Sequence, residues 1–453
     1  MIWAAESAES IPNDEEPNMK IRTALAALAF ATVTAATTAV VTAAVPSPTP
    51  QDLRGYDISA AYVVGISSGG YMATQLHVAY SDVFAGAGVF SAGPYRCAQD
   101  FDYAVTAQNS CMQNGRRKSP TELADETRRL ANTGKVDAVA NLAGDPVYLY
   151  HGTNDNTVVQ AVNDDLASYY GLFGADVSYD KAGPAGHAWV SPLGPVDCAA
   201  TRSPFINKCA GDPVGQMLGK LFGRVSGPAA NLSGKLVQFD QNAYAPGGNA
   251  GAISMDGKGF AYVPKSCSDG ASCRLTVALH GCKQGYSYQS FGDAFMKYSY
   301  LNEYADTNNT IVLYPQAIAL SNAGTTNPNG CWNWWGYGGD ANYAWQGGKQ
   351  LQTIMAMVER LDSGTTTPPT STTTTPPTST PPTTTPPTST PPTSTTPAPA
   401  CVTDTNRAHT TAGRAHVTNG YTYANGSNQN LGLWNTFVKS SIKQTSPGHW
   451  EKC

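Results

Sequence analysis

One hydroxyl, one carboxylate and one imidazole stand in this chain in an order that suits acyl transfer. Ser67 lies in Gly65-Ile66-Ser67-Ser68-Gly69, a G-x-S-x-G pattern. Asp155 follows in His151-Gly152-Thr153-Asn154-Asp155, and His187 in Gly186-His187-Ala188-Trp189. A serine hydroxyl attacks only when a base takes its proton, and the base is held in place by an acid. Ser67, Asp155 and His187 are the candidates for those three roles. Gly65 and Gly69 keep side chains out of a tight turn that lifts the serine oxygen clear of its strand. The N–H of Ser68, at a helix N-terminus, then faces the place where negative charge develops. The bland alternatives are a Gly/Ser loop, a turn-capping aspartate and a packed loop histidine. Of the rival bases, His77 lies inside the helix after Ser67, and His151 precedes Asp155 in the same loop.

The elements around these residues must bring them to one edge. Ala60 to Val64 is an apolar run that predicts a buried strand, and Tyr71 to Ala79 predicts the helix after it. Strand, G-x-S-x-G and helix form the nucleophile elbow of an α/β-hydrolase. Further strands are expected at Phe84 to Phe90, Pro146 to Tyr150, Val177 to Tyr179, Arg274 to Leu279 and Thr310 to Tyr314, with more between Leu236 and Val263. Helices are expected at Thr121 to Ala131, Ala161 to Gly171, Val214 to Val225, Phe291 to Ala305 and Gln346 to Arg360. The stretch between Cys97 and Cys111 reads as a polar loop. Alternating strands and helices predict a mostly parallel sheet covered on both faces. Loops at the carboxyl ends of parallel strands share an edge, which lets Ser67, Asp155 and His187 converge.

The second oxyanion donor is displaced in the chain. In many esterases a His-Gly segment precedes the nucleophile and supplies this N–H. Here Leu279-His280-Gly281-Cys282 comes after all three candidates. The motif order therefore predicts a circular permutation, in which the second half of the chain builds the part of the sheet that usually comes first.

The chain has 453 residues with a net charge of −5, and only 13% are charged, against about 25% in an average globular protein. Nothing in this balance points to nucleic acid. The seven histidines and ten cysteines show no zinc-ligand spacing, so no metal and no cofactor are expected. Met19-Lys20-Ile21-Arg22 opens a basic segment followed by an uncharged Ala/Val/Thr run to Val45, which reads as a secretory signal. A membrane anchor is the alternative, but Ala and Thr drive insertion poorly. Residues 1–18 are acidic and do not suit a signal, which puts the expected start at Met19. Secretion and an even cysteine count predict disulfides. Cys97 and Cys111, Cys198 and Cys209, and Cys267 and Cys273 each bracket a short segment.

At residue 364 the composition becomes Thr, Pro and Ser without charge. Such a tract builds no core and favours an extended form, about 3.1 Å per residue. The expected organisation is a leader at 1–45, a catalytic domain at 46–363, a linker at 364–400 and a small module at 401–453. A core that small needs a staple, so Cys401 is paired with Cys453.

Residues 55 to 360 resemble the catalytic domain of fungal-type extracellular poly(3-hydroxybutyrate) depolymerases. The resemblance rests on Gly-Ile-Ser-Ser-Gly-Gly-Tyr-Met-Ala (65–73), Ala-Tyr-Ser-Asp-Val-Phe (79–84), Val-Ala-Leu-His-Gly-Cys (277–282), Leu-Tyr-Pro-Gln-Ala-Ile (313–318) and Asn-Pro-Asn-Gly-Cys-Trp (327–332). It implies Ser67 as nucleophile, Asp155 as orienting acid and His187 as base. It implies the N–H groups of Ser68 and Cys282 as the oxyanion hole and Trp334 as a substrate subsite. It also implies disulfides Cys97–Cys111, Cys198–Cys209, Cys267–Cys273 and Cys282–Cys331. The final module resembles the substrate-binding domain of the same enzymes, with Tyr421, Tyr423 and Trp434 as candidate contacts. The expectation is a secreted, extracellular, monomeric serine esterase acting on an insoluble polyester. The alternative is a feruloyl or acetylxylan-type esterase with a carbohydrate-binding module.

Overall fold

A computed structural model describes residues 45–99, 103–322, 325–364, 401–418, 421–433 and 439–453. The proposed signal segment, the Thr/Pro tract beyond residue 364 and Trp434 lie outside the described residues.

A nine-stranded sheet forms the centre. After a short edge strand β1 (Thr49–Pro50) come β2 (Ile58–Ile66), α1 (Ser68–Ala79) and β3 (Phe84–Phe90). Helices α2 (Tyr103–Ser110) and α3 (Pro120–Asn132) precede β4 (Pro146–Tyr150), α4 (Gln160–Gly171) and β5 (Asp176–Asp180). A small sheet of β6 (Trp189–Val190), β7 (Val196–Asp197) and β8 (Ile206–Lys208) follows, then α5 (Pro213–Phe222). The second half supplies β9 (Lys235–Asp240), β10 (Lys258–Val263), the one-turn α6 (Lys265–Ser268) and β11 (Cys273–Leu279). It continues through α7 (Ala294–Tyr298), α8 (Leu301–Thr307), β12 (Thr310–Tyr314), the hairpin β13 (Leu320–Asn322) and β14 (Thr325–Asn327), and α9 (Lys349–Leu361).

The sheet order is β1-β9-β10-β12-β11-β2-β3-β4-β5. From β12 through β11 to β5 every pairing is parallel, and only β10 runs against its neighbours. The last-built strand pair, β12 and β11, thus sits beside β2. That is the rotated strand order that the position of His280-Gly281-Cys282 predicts.

Successive residues of the strands face opposite layers, as a pleated strand requires. Val63, Val89, Leu149, Val277 and Leu313 join one core with Leu76, Leu166 and Leu351. Tyr62, Val64, Phe90 and Val312 face the other core, with Met217, Leu221 and Phe295. Burial on both faces explains why these strands read as continuous apolar runs.

Three local expectations change. The segment between Cys97 and Cys111 holds helix α2. The helix expected from Phe291 to Ala305 is two short helices, broken at Tyr300, whose φ is 67°. The break leaves the Ser299 carbonyl to accept from the Trp189 indole N–H at 3.0 Å. The helix expected to reach Val225 stops at Phe222, where Gly223 takes φ 75°, a left-handed stop that glycine adopts without cost to a Cβ.

The described residues between 401 and 453 form two three-stranded antiparallel sheets. One contains β15 (Val402–Thr405), β19 (Lys439–Ser446) and β20 (His449–Lys452). The other contains β16 (Ala415–Thr418), β17 (Tyr421–Ala424) and β18 (Asn430–Leu433), with α10 (Asn406–Thr411) before it. Their core is Ala415, Ala424, Leu431 and Ile442. Cys401 is bonded to Cys453.

Candidate active site

Register brings the candidate residues to one edge. Leu279 pairs with Gly65 and Phe90 with Ile66, while Tyr150 pairs with Phe90 and Asp180 with Tyr150. The segments that leave β11, β2, β3, β4 and β5 therefore emerge side by side. They carry His280–Cys282, Ser67, Ser91, Asp155 and His187.

Ser67 has φ 54° and ψ −123°, a conformation sparsely populated by residues with a Cβ and tolerated where surrounding structure enforces it. Enforcement comes from the Ser67 N–H donating to the Phe90 carbonyl at 3.0 Å and from the Tyr71 N–H donating to the Ser67 carbonyl at 3.0 Å. Helix α1 is buried along its whole length. A Cβ on Gly69 would lie 2.2 Å from the Leu279 carbonyl oxygen and 2.4 Å from that of His280. Glycine there is what allows the elbow to sit against the end of β11.

His187 is 7% exposed, and its Nδ1 lies 2.7 Å from Asp155 Oδ2. The other carboxylate oxygen, Oδ1, accepts from the N–H groups of Thr157 at 2.9 Å and Val158 at 3.0 Å. Burial alone would raise the Asp155 pKa, but the His187 hydrogen bond and charge, with the Val158 N–H, hold it below the usual aspartate value. The backbone N–H of His187 donates to Thr201 Oγ1 at 2.9 Å, which fixes the segment that carries the imidazole. The rival histidines are engaged elsewhere. His77 is fully buried between the Tyr170 hydroxyl and Asp145. His151 Nε2 faces the Val158 carbonyl at 2.8 Å.

The His280-Gly281-Cys282 loop packs on the serine, since a Cβ on Gly281 would stand 3.3 Å from Ser67 Cβ. His280 accepts from the Ala317 N–H through Nε2 at 3.1 Å and donates from Nδ1 to the Gly281 carbonyl at 2.7 Å. Burial pushes its pKa down to about 4, so the neutral ring that this pattern needs is kept. Gln284 Oε1 takes the Gly281 N–H at 2.7 Å. The Trp332 indole N–H donates to the His280 carbonyl at 2.9 Å, and Cys282 is bonded to Cys331. His280, Gln284 and Trp332 were not singled out from the sequence as site residues. For Gln284 the available signal is its place three residues after Gly281.

A cavity of about 400 Å³ opens over Ser67. Cys282, Cys331 and Trp334 line one part, and Met112 and Val158 another. Trp334 is 5% exposed and stacks on Tyr71. Its indole N–H has no partner among the described residues. The loop that carries it is pinned by Asn327, whose Oδ1 takes the Cys331 N–H at 3.0 Å, and by Asn333, whose Oδ1 takes the N–H groups of Gly336 and Tyr337 at 2.9 and 3.0 Å. The remaining cysteines join as Cys97–Cys111, Cys198–Cys209 and Cys267–Cys273. In the final module Tyr423 is half-buried and stacks on His416 at 5.9 Å. Tyr421 is the first residue of the same strand, β17. Trp434 lies outside the described residues. No helix among the described residues is long and apolar enough to cross a membrane.

A search of family models finds no match. The chain is 37% identical over 473 aligned residues to a poly(3-hydroxybutyrate) depolymerase of Delftia acidovorans, covering 87% of this chain and 92% of the relative. It is 41% identical over 318 residues to a polyhydroxybutyrate depolymerase of Talaromyces funiculosus, covering 67% of this chain and 89% of that one. A solved PHB depolymerase in complex with an R3HB trimer superposes with a TM-score of 0.63 at 37% identity, covering 69% of this chain and 99% of the other.

Proposed function

The chain belongs to the poly(3-hydroxybutyrate) depolymerase family, and from that membership we propose how its residues hydrolyse the polyester. It is a carboxylic ester hydrolase of poly(3-hydroxybutyrate). In our reading Ser67 is the nucleophile, His187 the base and Asp155 the group that orients it. The observation that carries this is the 2.7 Å contact of His187 Nδ1 with Asp155 Oδ2, beside a strained serine elbow.

With Nδ1 held by Asp155, Nε2 is the nitrogen left to take the Ser67 proton. The Ser67 oxygen attacks an ester carbonyl of the chain, and the N–H groups of Ser68 and Cys282 receive the oxyanion. One such donor is worth about 3 kcal/mol in comparable enzymes. His187 then protonates the departing hydroxyl of the polymer. Water, deprotonated by the same imidazole, releases the acyl fragment from Ser67.

Residues 46–363 act as the catalytic domain, 364–400 as linker and 401–453 as the module that holds the insoluble substrate. Tyr421, Tyr423 and Trp434 are its proposed contacts, and the half-buried Tyr423 ring supports that role. Tethering raises the effective concentration of the hydrolase over the solid. We place the enzyme outside the cell, a reading supported by the five disulfides. The monomer is the proposed working form, supported by the presence of all the proposed catalytic groups on one chain.

The test is clearing of a poly(3-hydroxybutyrate) granule suspension by the purified protein beside Ser67→Ala. Clearing by the parent alone is expected. Hydrolysis of p-nitrophenyl butyrate without clearing would keep the serine chemistry and move the substrate to the feruloyl or acetylxylan class.

A further inference from the structure

A polymer cut within its chain must continue past the scissile ester on both sides, and the cavity over Ser67 accounts for one of them. A second concavity, of about 450 Å³, begins at Lys283, the residue after the cavity-lining Cys282. Phe205, Tyr288, Gln289 and Phe291 line it. The Phe205 segment is tied to the oxyanion loop. Gln284 Nε2 donates to the carbonyls of Pro204 at 2.8 Å and Phe205 at 3.2 Å, while its Oε1 holds the Gly281 N–H. The Phe205 carbonyl also accepts from the Trp189 N–H at 3.0 Å, two residues beyond His187. The groove therefore hangs on both the His187 segment and the Cys282 segment.

Its chemistry is selective. The three rings give apolar surface, and Ser203, Lys283, Gln289 and Ser290 give hydrogen-bond donors. No carboxylate lines it among the described residues. A 3-hydroxybutyrate repeat within a chain offers methyl groups and ester oxygens that accept, and no donor of its own. Donors and rings without a carboxylate complement that repeat. Phe205, Lys283 and Gln289 have φ of 54°, 64° and 50°. Left-handed backbone at residues other than glycine gathers where function enforces it.

We infer that this groove is a second chain-binding site, which takes the polyester repeats that run on from the scissile ester past the oxyanion loop. The inference rests on the polyester reading above. The rings seat the methyl-bearing backbone of the chain, and Lys283 and Gln289 donate to its ester carbonyls.

The test compares kcat/KM on a linear 3-hydroxybutyrate tetramer with kcat/KM on p-nitrophenyl butyrate, using the full chain. Loss of one aromatic contact in Tyr288→Ala is expected to lower the tetramer-to-ester ratio by about tenfold. Ser290→Trp, at an exposed position, fills the groove and is expected to lower the same ratio. It decides the matter if Tyr288→Ala does not fold. An unchanged ratio in Ser290→Trp, with the tetramer cleaved by the parent, overturns the groove and leaves the polyester reading standing. Equal loss on both substrates also overturns it, because it would make these residues supports of the oxyanion loop. A parent protein that cleaves the small ester and leaves the tetramer intact would overturn the polyester reading itself, and the groove with it.

Discussion

Tyr71 stacks on Trp334 with ring centroids 3.9 Å apart and planes 10° from parallel. The same tyrosine donates its hydroxyl to the Cys111 carbonyl. One side chain on the elbow helix thus joins three parts of the cavity: the serine turn, the tryptophan loop and the disulfide-closed segment at Cys111.

The stack orients an indole N–H that has no partner among the described residues. Trp334→Phe keeps a ring on Tyr71 and removes that donor. It should lower kcat/KM on a 3-hydroxybutyrate trimer by about tenfold, the worth of one hydrogen bond. Trp334→Ala also removes the packing and should cost about 3 kcal/mol of stability in urea titrations.

With Ser67 as the proposed nucleophile, strain at this residue is expected to set stability against activity. Glycine adopts φ 54°, ψ −123° without a Cβ clash, so Ser67→Gly should stabilise the fold by about 1 kcal/mol while removing hydrolysis. Ser67→Ala should remove hydrolysis without that gain. Thermal unfolding of the two variants beside the parent checks the difference.

The Cys282–Cys331 bond closes 49 residues and lines the cavity, whereas Cys267–Cys273 closes six at the opposite end of β11. By loop entropy, removing the first pair as Cys282→Ala/Cys331→Ala should cost about 4 kcal/mol, and removing the second about 2 kcal/mol. Only the first should lower kcat on p-nitrophenyl butyrate, because only it anchors the residue proposed to bind the oxyanion. Matched kinetics and denaturation of the two double variants separate the effects.

Glu303 is 2% exposed, and neither carboxylate oxygen has a partner among the described residues. Burial, with the charge of Asp306 adding, pushes its pKa from 4.5 up to about 7. The folded state therefore binds a proton that the unfolded chain has released, and stability falls as pH rises from about 4.5 to about 7. At about 1.4 kcal/mol per pH unit the loss is about 3 kcal/mol. Glu303→Gln should remove this slope, read from urea midpoints at pH 5 and pH 8.

Much of the sheet was legible because its strands are buried on both faces. Phe84–Phe90, Pro146–Tyr150 and Thr310–Tyr314 have the bounds that their apolar runs predict. The break at Tyr300 was not legible, since it answers to Trp189, which is far away in the chain. Helix α2 was hidden by the polar reading of its segment.

The order of motifs by itself determined the most distinctive feature of this protein. His280-Gly281-Cys282 can serve Ser67 only if the later half of the chain builds the sheet beside β2, because a parallel neighbour delivers its loop to the same edge. It also put Ser67, Asp155 and His187 forward as a candidate set, because each follows a strand and acyl transfer calls for those three side-chain types. Tertiary structure alone decided the surroundings of that set. The Tyr71–Trp334 stack, the Gln284 bridge to Pro204 and Phe205, and the walls of both concavities join residues far apart in the chain. Such contacts follow from how loops pack over a sheet edge, which local propensity and periodicity do not encode.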